Sequence, residues 1–151
     1  MPSLDALVRR PWDRPTERDW AELLSALPLF SHVGKRRLRG IAKLARVADY
    51  PPGETIVRAG DKGESFYVVL EGRASVAGRS RTLGPGAYFG EIALIDGGPR
   101  SATVTAKTRT RVMELPRRAF MKALEQDARI ALEIMEALAE RVRRLERAPS
   151  A

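Results

Sequence analysis

From position 47 to 116 short β-prone runs alternate with turns rich in glycine and proline, and that rhythm limits what the chain can fold into. Tyr50-Pro51-Pro52-Gly53-Glu54, Ala59-Gly60-Asp61-Lys62-Gly63, Glu71-Gly72 and Gly84-Pro85-Gly86 supply the turns. Between and after them lie runs at 55–58, 65–70, 74–76, 79–83, 102–106 and 110–115. The run at 65–70 alternates, with Phe66, Val68 and Leu70 on one face and Tyr67 and Val69 on the other. Short strands at such spacing with glycine turns predict a β-sandwich, roll or barrel.

Helical periodicity flanks this region on both sides. Thr16 is a candidate cap for a first helix, in which Trp20, Leu23, Leu24 and Leu27 fall on one face before Pro28 limits it. Ser31 is a candidate cap for a second helix, with Leu38, Ile41, Ala42 and Ala45 on one side and Lys35, Arg36, Arg37 and Arg39 on the other. Pro116 marks the return to helix at a first-turn position where proline is tolerated. A helix from Arg117 carries Phe120, Met121 and Leu124, and Asp127 is placed to cap a last helix of about twenty residues. Along it Ala131, Met135, Leu138, Val142 and Leu145 follow a four-three rhythm, which suits either a short dimer seam or half-burial on the chain's own strands. The reading is α+β, in one domain: an arm at 1–15, in which Trp12 is a docking candidate, N-terminal helices at 16–46, a β region at 47–116, C-terminal helices at 117–147 and a frayed tail at 148–151.

One stretch inside the β region carries chemistry. Positions 89–104 read Phe-Gly-Glu-Ile-Ala-Leu-Ile-Asp-Gly-Gly-Pro-Arg-Ser-Ala-Thr-Val. Gly90 lets the backbone approach a ligand closely. A single helical turn at 91–95 would present free N–H groups to an anion. Gly97-Gly98-Pro99 then bends the chain and returns Arg100, whose planar fork of donors suits phosphate oxygens. Glu91 would repel a phosphate, so it fits only a ligand that also carries hydroxyl donors, as a ribose does. Together these parts suggest a nucleotide held by its sugar and phosphate without a metal.

Those sixteen residues resemble the phosphate-binding cassette of cyclic nucleotide-binding domains, and weaker features of that family run from Leu29 to Leu145. The resemblance implies an eight-stranded antiparallel β-roll, a jelly-roll-like double-stranded β-helix, with N-terminal helices and two C-terminal helices. It implies that Arg100 pairs with the exocyclic phosphate of a cyclic nucleotide and that Glu91 accepts from the ribose 2′-hydroxyl. Backbone N–H groups of Gly90, Ile92, Ala93 and Ser101 or Ala102 would hold the remaining oxygens. Ser101 can contact phosphate or bond the 2-amino group of guanine, and family members with either base carry small residues there; cyclic AMP is favoured over cyclic GMP. The base is expected under the last helix, near Met135, Leu138 or Ala139. Leu94 and Phe120 are the candidates for a switch that repacks when phosphate is captured, and the last helix for a homodimer seam.

Other chemistry finds little support. The chain has no Cys and a single His, His32, which reads as a loop residue, so neither a disulfide nor a His-cluster metal site can be assembled. No dinucleotide fingerprint, P-loop or assured Ser–His–Asp set is present, and no enzyme activity or cofactor is expected. No apolar run approaches the roughly 20 residues of a membrane span, and a cytoplasmic protein is expected. Only four residues follow Arg147, with no helix-turn-helix for DNA, so the expectation is a stand-alone sensor acting on an unidentified effector protein. Its rival is a ligand-independent interaction module. The net charge of +8 is the feature behind it, since scattered basic helices could dock an acidic protein, membrane or nucleic acid.

Overall fold

The computed structural model describes residues 17–147. The expected arm with Trp12, the cap at Thr16 and the tail at 148–151 lie outside the described residues. Two helices, α1 (Glu17–Ala26) and α2 (Lys35–Ala42), flank a 3-10 turn at Pro28–Phe30. Eight strands follow: β1 (Arg46–Tyr50), β2 (Thr55–Val57), β3 (Ser65–Glu71), β4 (Ala74–Val76), β5 (Thr82–Leu83), β6 (Tyr88–Phe89), β7 (Val104–Ala106) and β8 (Thr110–Pro116). Helix α3 (Glu91–Asp96) interrupts them between β6 and β7, and α4 (Arg117–Gln126) and α5 (Ala128–Arg147) close the chain. The strands form two four-stranded sheets, ordered β1-β8-β3-β6 and β2-β7-β4-β5, and every pairing is antiparallel. This is the expected α+β roll.

Strand β3 explains why the molecule has two cores. Successive side chains of a strand point to opposite faces. Tyr67 and Val69 join Val57, Val76, Phe89, Val104 and Val112 between the sheets. Phe66, Val68 and Leu70 turn outward and are buried with Met113 and Leu115 under the helices. There Phe66 stacks on Phe120 of α4, ring centroids 4.7 Å apart. Leu23, Leu24 and Leu27 of α1, Leu38 and Ile41 of α2, and Ile130 and Ile134 of α5 complete that second core.

Three details depart from the expectations. The N-cap of α2 is Gly34, not Ser31, because the tight turn continues through the Val33 N–H to Phe30 carbonyl bond before the helix begins. Pro116 is not in the first turn of α4; it is the extended N-cap, where its fixed φ of −64° serves the end of β8 and the missing N–H costs nothing. On α5 the buried pair is Ile130 and Ile134, with Leu138 half-buried beyond them, while Met135, Val142 and Leu145 are exposed. The four-three rhythm therefore marks mostly the outer side of this helix. Asp127 does cap it, its Oδ1 accepting from the Arg129 N–H at 3.0 Å.

Candidate functional site

The stretch between β6 and β7 is shaped by two glycines in left-handed conformations. Gly90 (φ 93°) is the N-cap of α3, and Gly97 (φ 70°) is its C-cap. The Gly98 N–H donates to Asp96 Oδ1 at 2.7 Å, which tightens the bend. Arg100 then returns along the β2–β3 connection. Its N–H donates to the Asp61 carbonyl at 2.8 Å, and its own carbonyl accepts from the Gly60 N–H at 2.9 Å.

The Arg100 side chain is buried, the residue being only 7% exposed. Nη1 donates to the Gly90 carbonyl at 3.0 Å and Nη2 to the Ser65 carbonyl at 2.7 Å. The guanidinium carbon lies 5.6 Å from the Tyr67 ring centroid, within cation–π range. A Cβ on Gly90 would fall 2.6 Å from Arg100 Nη1 and 3.0 Å from the Ser65 carbonyl oxygen, so the glycine permits the approach. Two of the five guanidinium N–H groups are spent on carbonyls and three remain. Among the described residues no carboxylate forms an ion pair with Arg100.

Beside it opens a cleft of about 550 Å³, counting its mouth. All seven cassette positions named from the sequence line it: Gly90, Glu91, Ile92, Ala93, Arg100, Ser101 and Ala102. Val57, Val76, Leu83 and Tyr88 supply apolar walls. Burial pushes the Glu91 carboxyl up from its ordinary pKa, while its own backbone N–H and the Arg79 and Arg100 charges pull it down. A carboxyl group and a guanidinium thus line one space.

The suggested base contacts are placed differently. Met135 is 57% exposed, Ala139 is exposed, and Leu138 packs on the helical core; none of the three lines the cleft. Arg141 is the residue that α5 brings there. It follows Ile130, Ile134 and Leu138 at helical spacing, so the face that docks α5 also aims this arginine at the roll. The sequence carries that signal, inside an Arg-Val-Arg-Arg run that reads as a solvated face. Arg79 also lines the cleft, and nothing local points to it; it sits in the connection from β4 to β5, where no periodicity marks it. Leu94 is fully buried in the same core as Phe120.

The family model described as "Cyclic nucleotide-binding domain" matches residues 47–127. The chain is 41% identical over 115 residues to a cyclic nucleotide-gated potassium channel of Mesorhizobium japonicum, covering 76% of this chain and 32% of the channel. It is 36% identical over 112 residues to a cAMP-dependent protein kinase regulatory subunit of Aspergillus niger, covering 71% of this chain and 27% of that protein. The chain therefore spans about a third or less of the length of these relatives. Among solved structures, the regulatory domain of Toxoplasma gondii PKA with cAMP superposes with a TM-score of 0.73 at 26% identity, over 82% of this chain and 50% of that one. The roll, the glycine-bounded α3 turn and the returning arginine agree with a match across more than half the sequence, and the chain belongs to the cyclic nucleotide-binding domain family.

Proposed function

We propose that this chain is a cyclic nucleotide receptor, not a catalyst, that works in the cytoplasm and takes cyclic AMP in preference to cyclic GMP. The observation that carries this reading is Arg100: a buried guanidinium whose hydrogen bonds go to two backbone carbonyls and leave its charge for an anion. Burying a charge without a counter-charge is costly, and a bound phosphate removes that cost. Glu91 accepts from the ribose 2′-hydroxyl, and N–H groups of Gly90, Ile92, Ala93 and Ser101 or Ala102 surround the phosphate. Arg141 lies over the base as a flat cation able to stack on either purine, in the role expected from the sequence for Met135, Leu138 or Ala139. The preference for cyclic AMP is supported by the similarity to a cAMP-dependent protein kinase regulatory subunit and by the cAMP bound to the Toxoplasma neighbour. Output goes through α5, whose repositioning changes pairing with a second copy or contact with an effector protein.

Calorimetric titration with cyclic AMP and cyclic GMP tests the reading. The wild type binds both, cyclic AMP more tightly, and Arg100→Ala loses about 1.5–3 kcal/mol of binding free energy, the usual worth of a hydrogen bond to a charged group. A wild type that binds neither nucleotide below millimolar concentration ends it and favours a ligand-independent module.

A further inference from the structure

Arg100 and Glu114 are the two buried charged residues among the described residues, and they are tied together through one residue. Ser65 offers its carbonyl to Arg100 Nη2 at 2.7 Å and donates its hydroxyl to Glu114 Oε1 at 2.8 Å. Behind Glu114 stands Arg46, whose Nε donates to Oε2 at 3.1 Å and Nη2 to Oε1 at 2.9 Å, a bidentate clamp. Strand register explains the alignment. Arg46 lies opposite Glu114 on β1 and β8, and Glu114 lies opposite Tyr67 on β8 and β3, so the three form one row across the sheet. Tyr67 brings that row under the Arg100 guanidinium, and the pKa of its hydroxyl is pushed up to about 12, by burial first and then by Glu114. The row opens on a polar hollow shared by Ser65, Tyr67, Glu114 and Arg100, on which Glu91 does not border.

We propose that Arg46 and Glu114 are positioning residues for Arg100. They fix Ser65 and Tyr67, and those two hold the back of the guanidinium so that its remaining donors face the cleft. The ligand touches neither of them. The geometry makes the fork ready before the phosphate arrives, and preorganisation of this kind raises affinity by lowering the ordering cost of binding. The proposal rests on the reading of the cleft as a cyclic nucleotide site.

The test is a mutant cycle read by cyclic AMP calorimetry and by thermal melting. Arg46 is the first target because its side chain is 73% exposed and its loss should leave the fold intact. Arg46→Ala is expected to weaken cyclic AMP binding about three- to ten-fold, the scale of coupling between residues of one network, together with a fall in melting temperature, because the Glu114 carboxylate loses its counter-charge. Glu114→Gln should weaken binding likewise, and Arg46→Lys should restore part of the loss. In an Arg100→Lys background, where the ammonium cannot span both carbonyls, Arg46→Ala should cost nothing further. Wild-type protein that does not bind cyclic AMP removes the underlying reading itself. Wild-type binding together with unaltered affinity in Arg46→Ala overturns only the positioning role. An equal loss in the wild-type and Arg100→Lys backgrounds overturns it too, since the effect would then bypass the arginine.

Discussion

Glu91 shows at the scale of one residue how a site can set two demands against each other. Burial raises its carboxyl pKa, and the Arg79 and Arg100 charges lower it without cancelling the rise. The folded state therefore binds this proton more tightly than the unfolded chain does. Its contribution to the unliganded protein is most favourable below the unfolded carboxyl pKa and is lost as pH rises through the folded-state value. Ligand binding has the opposite sign, because an ionised carboxylate is the stronger acceptor for a ribose hydroxyl. Cyclic AMP affinity is accordingly expected to fall on acidification, beginning above the ordinary carboxylate range, while Glu91→Gln binds more weakly and shows a flat profile there. Calorimetry at a series of pH values checks this, and a wild-type profile as flat as that of Glu91→Gln would remove Glu91 from the role. The identities of Glu91 and Arg100 were legible in the sequence because Gly90 and the Gly97-Gly98-Pro99 bend frame them. The pull of Arg79 was not, because it comes from a connection twelve positions away that only the roll folds alongside.

Helix α5 poses the question at the scale of an element. Ile130 and Ile134 are almost wholly buried, whereas Leu132, Met135, Val142 and Leu145 are 50%, 57%, 51% and 68% exposed. An amphipathic helix of twenty residues thus buries one apolar face against its own domain and leaves Leu132, Met135 and Val142 outside it, with Leu145 exposed although in helical register with Ile134. Replacing Ile134 by Ala should cost about 2–5 kcal/mol of stability, the usual effect of a core cavity. Replacing Val142 by Glu should stay within about 0.5 kcal/mol, as surface changes do. If α5 pairs with a second copy, Val142→Glu shifts sedimentation toward monomer at that unchanged stability. A wild type that sediments as a monomer at every concentration would end the dimer idea and leave the outer face for an effector. The sequence showed the apolar periodicity of α5 but not which stripe faces inward. Both stripes satisfy helical spacing, and only the docking of Ile130 and Ile134 against the 3-10 turn and the neighbouring helix selects one.

For the whole molecule, the important fact is that β3 serves both cores. Arg100 lies on Tyr67, on the roll-interior side of that strand. One residue along, Phe66 stacks on Phe120 of α4, and Leu94 of the cassette helix is buried in that same helical core. A shift of α3 on capturing phosphate would be felt by α4 and then α5, provided the two packings differ in ligand affinity. Hydrogen exchange with and without saturating cyclic AMP measures this. Protection is expected to change in α3 and also in α4 and α5; a change confined to α3 and the Arg100 segment would mean that Leu94 and Phe120 are ordinary core.

What the sequence determined by itself was local: glycine and proline turns, the alternation at 65–70, the helical runs at both ends, and a contiguous cassette whose residues carry the family resemblance. These follow from short-range rules of backbone geometry and side-chain periodicity, which neighbouring residues are sufficient to express. Tertiary structure alone decided that Arg79 and Arg141 meet Glu91 and Arg100 in one cleft, that α5 turns Ile134 inward, and that Arg46 reaches Arg100 through Glu114 and Ser65. Those arrangements depend on strand register and helix docking between segments tens of residues apart, and no local pattern encodes which of several compatible faces will meet.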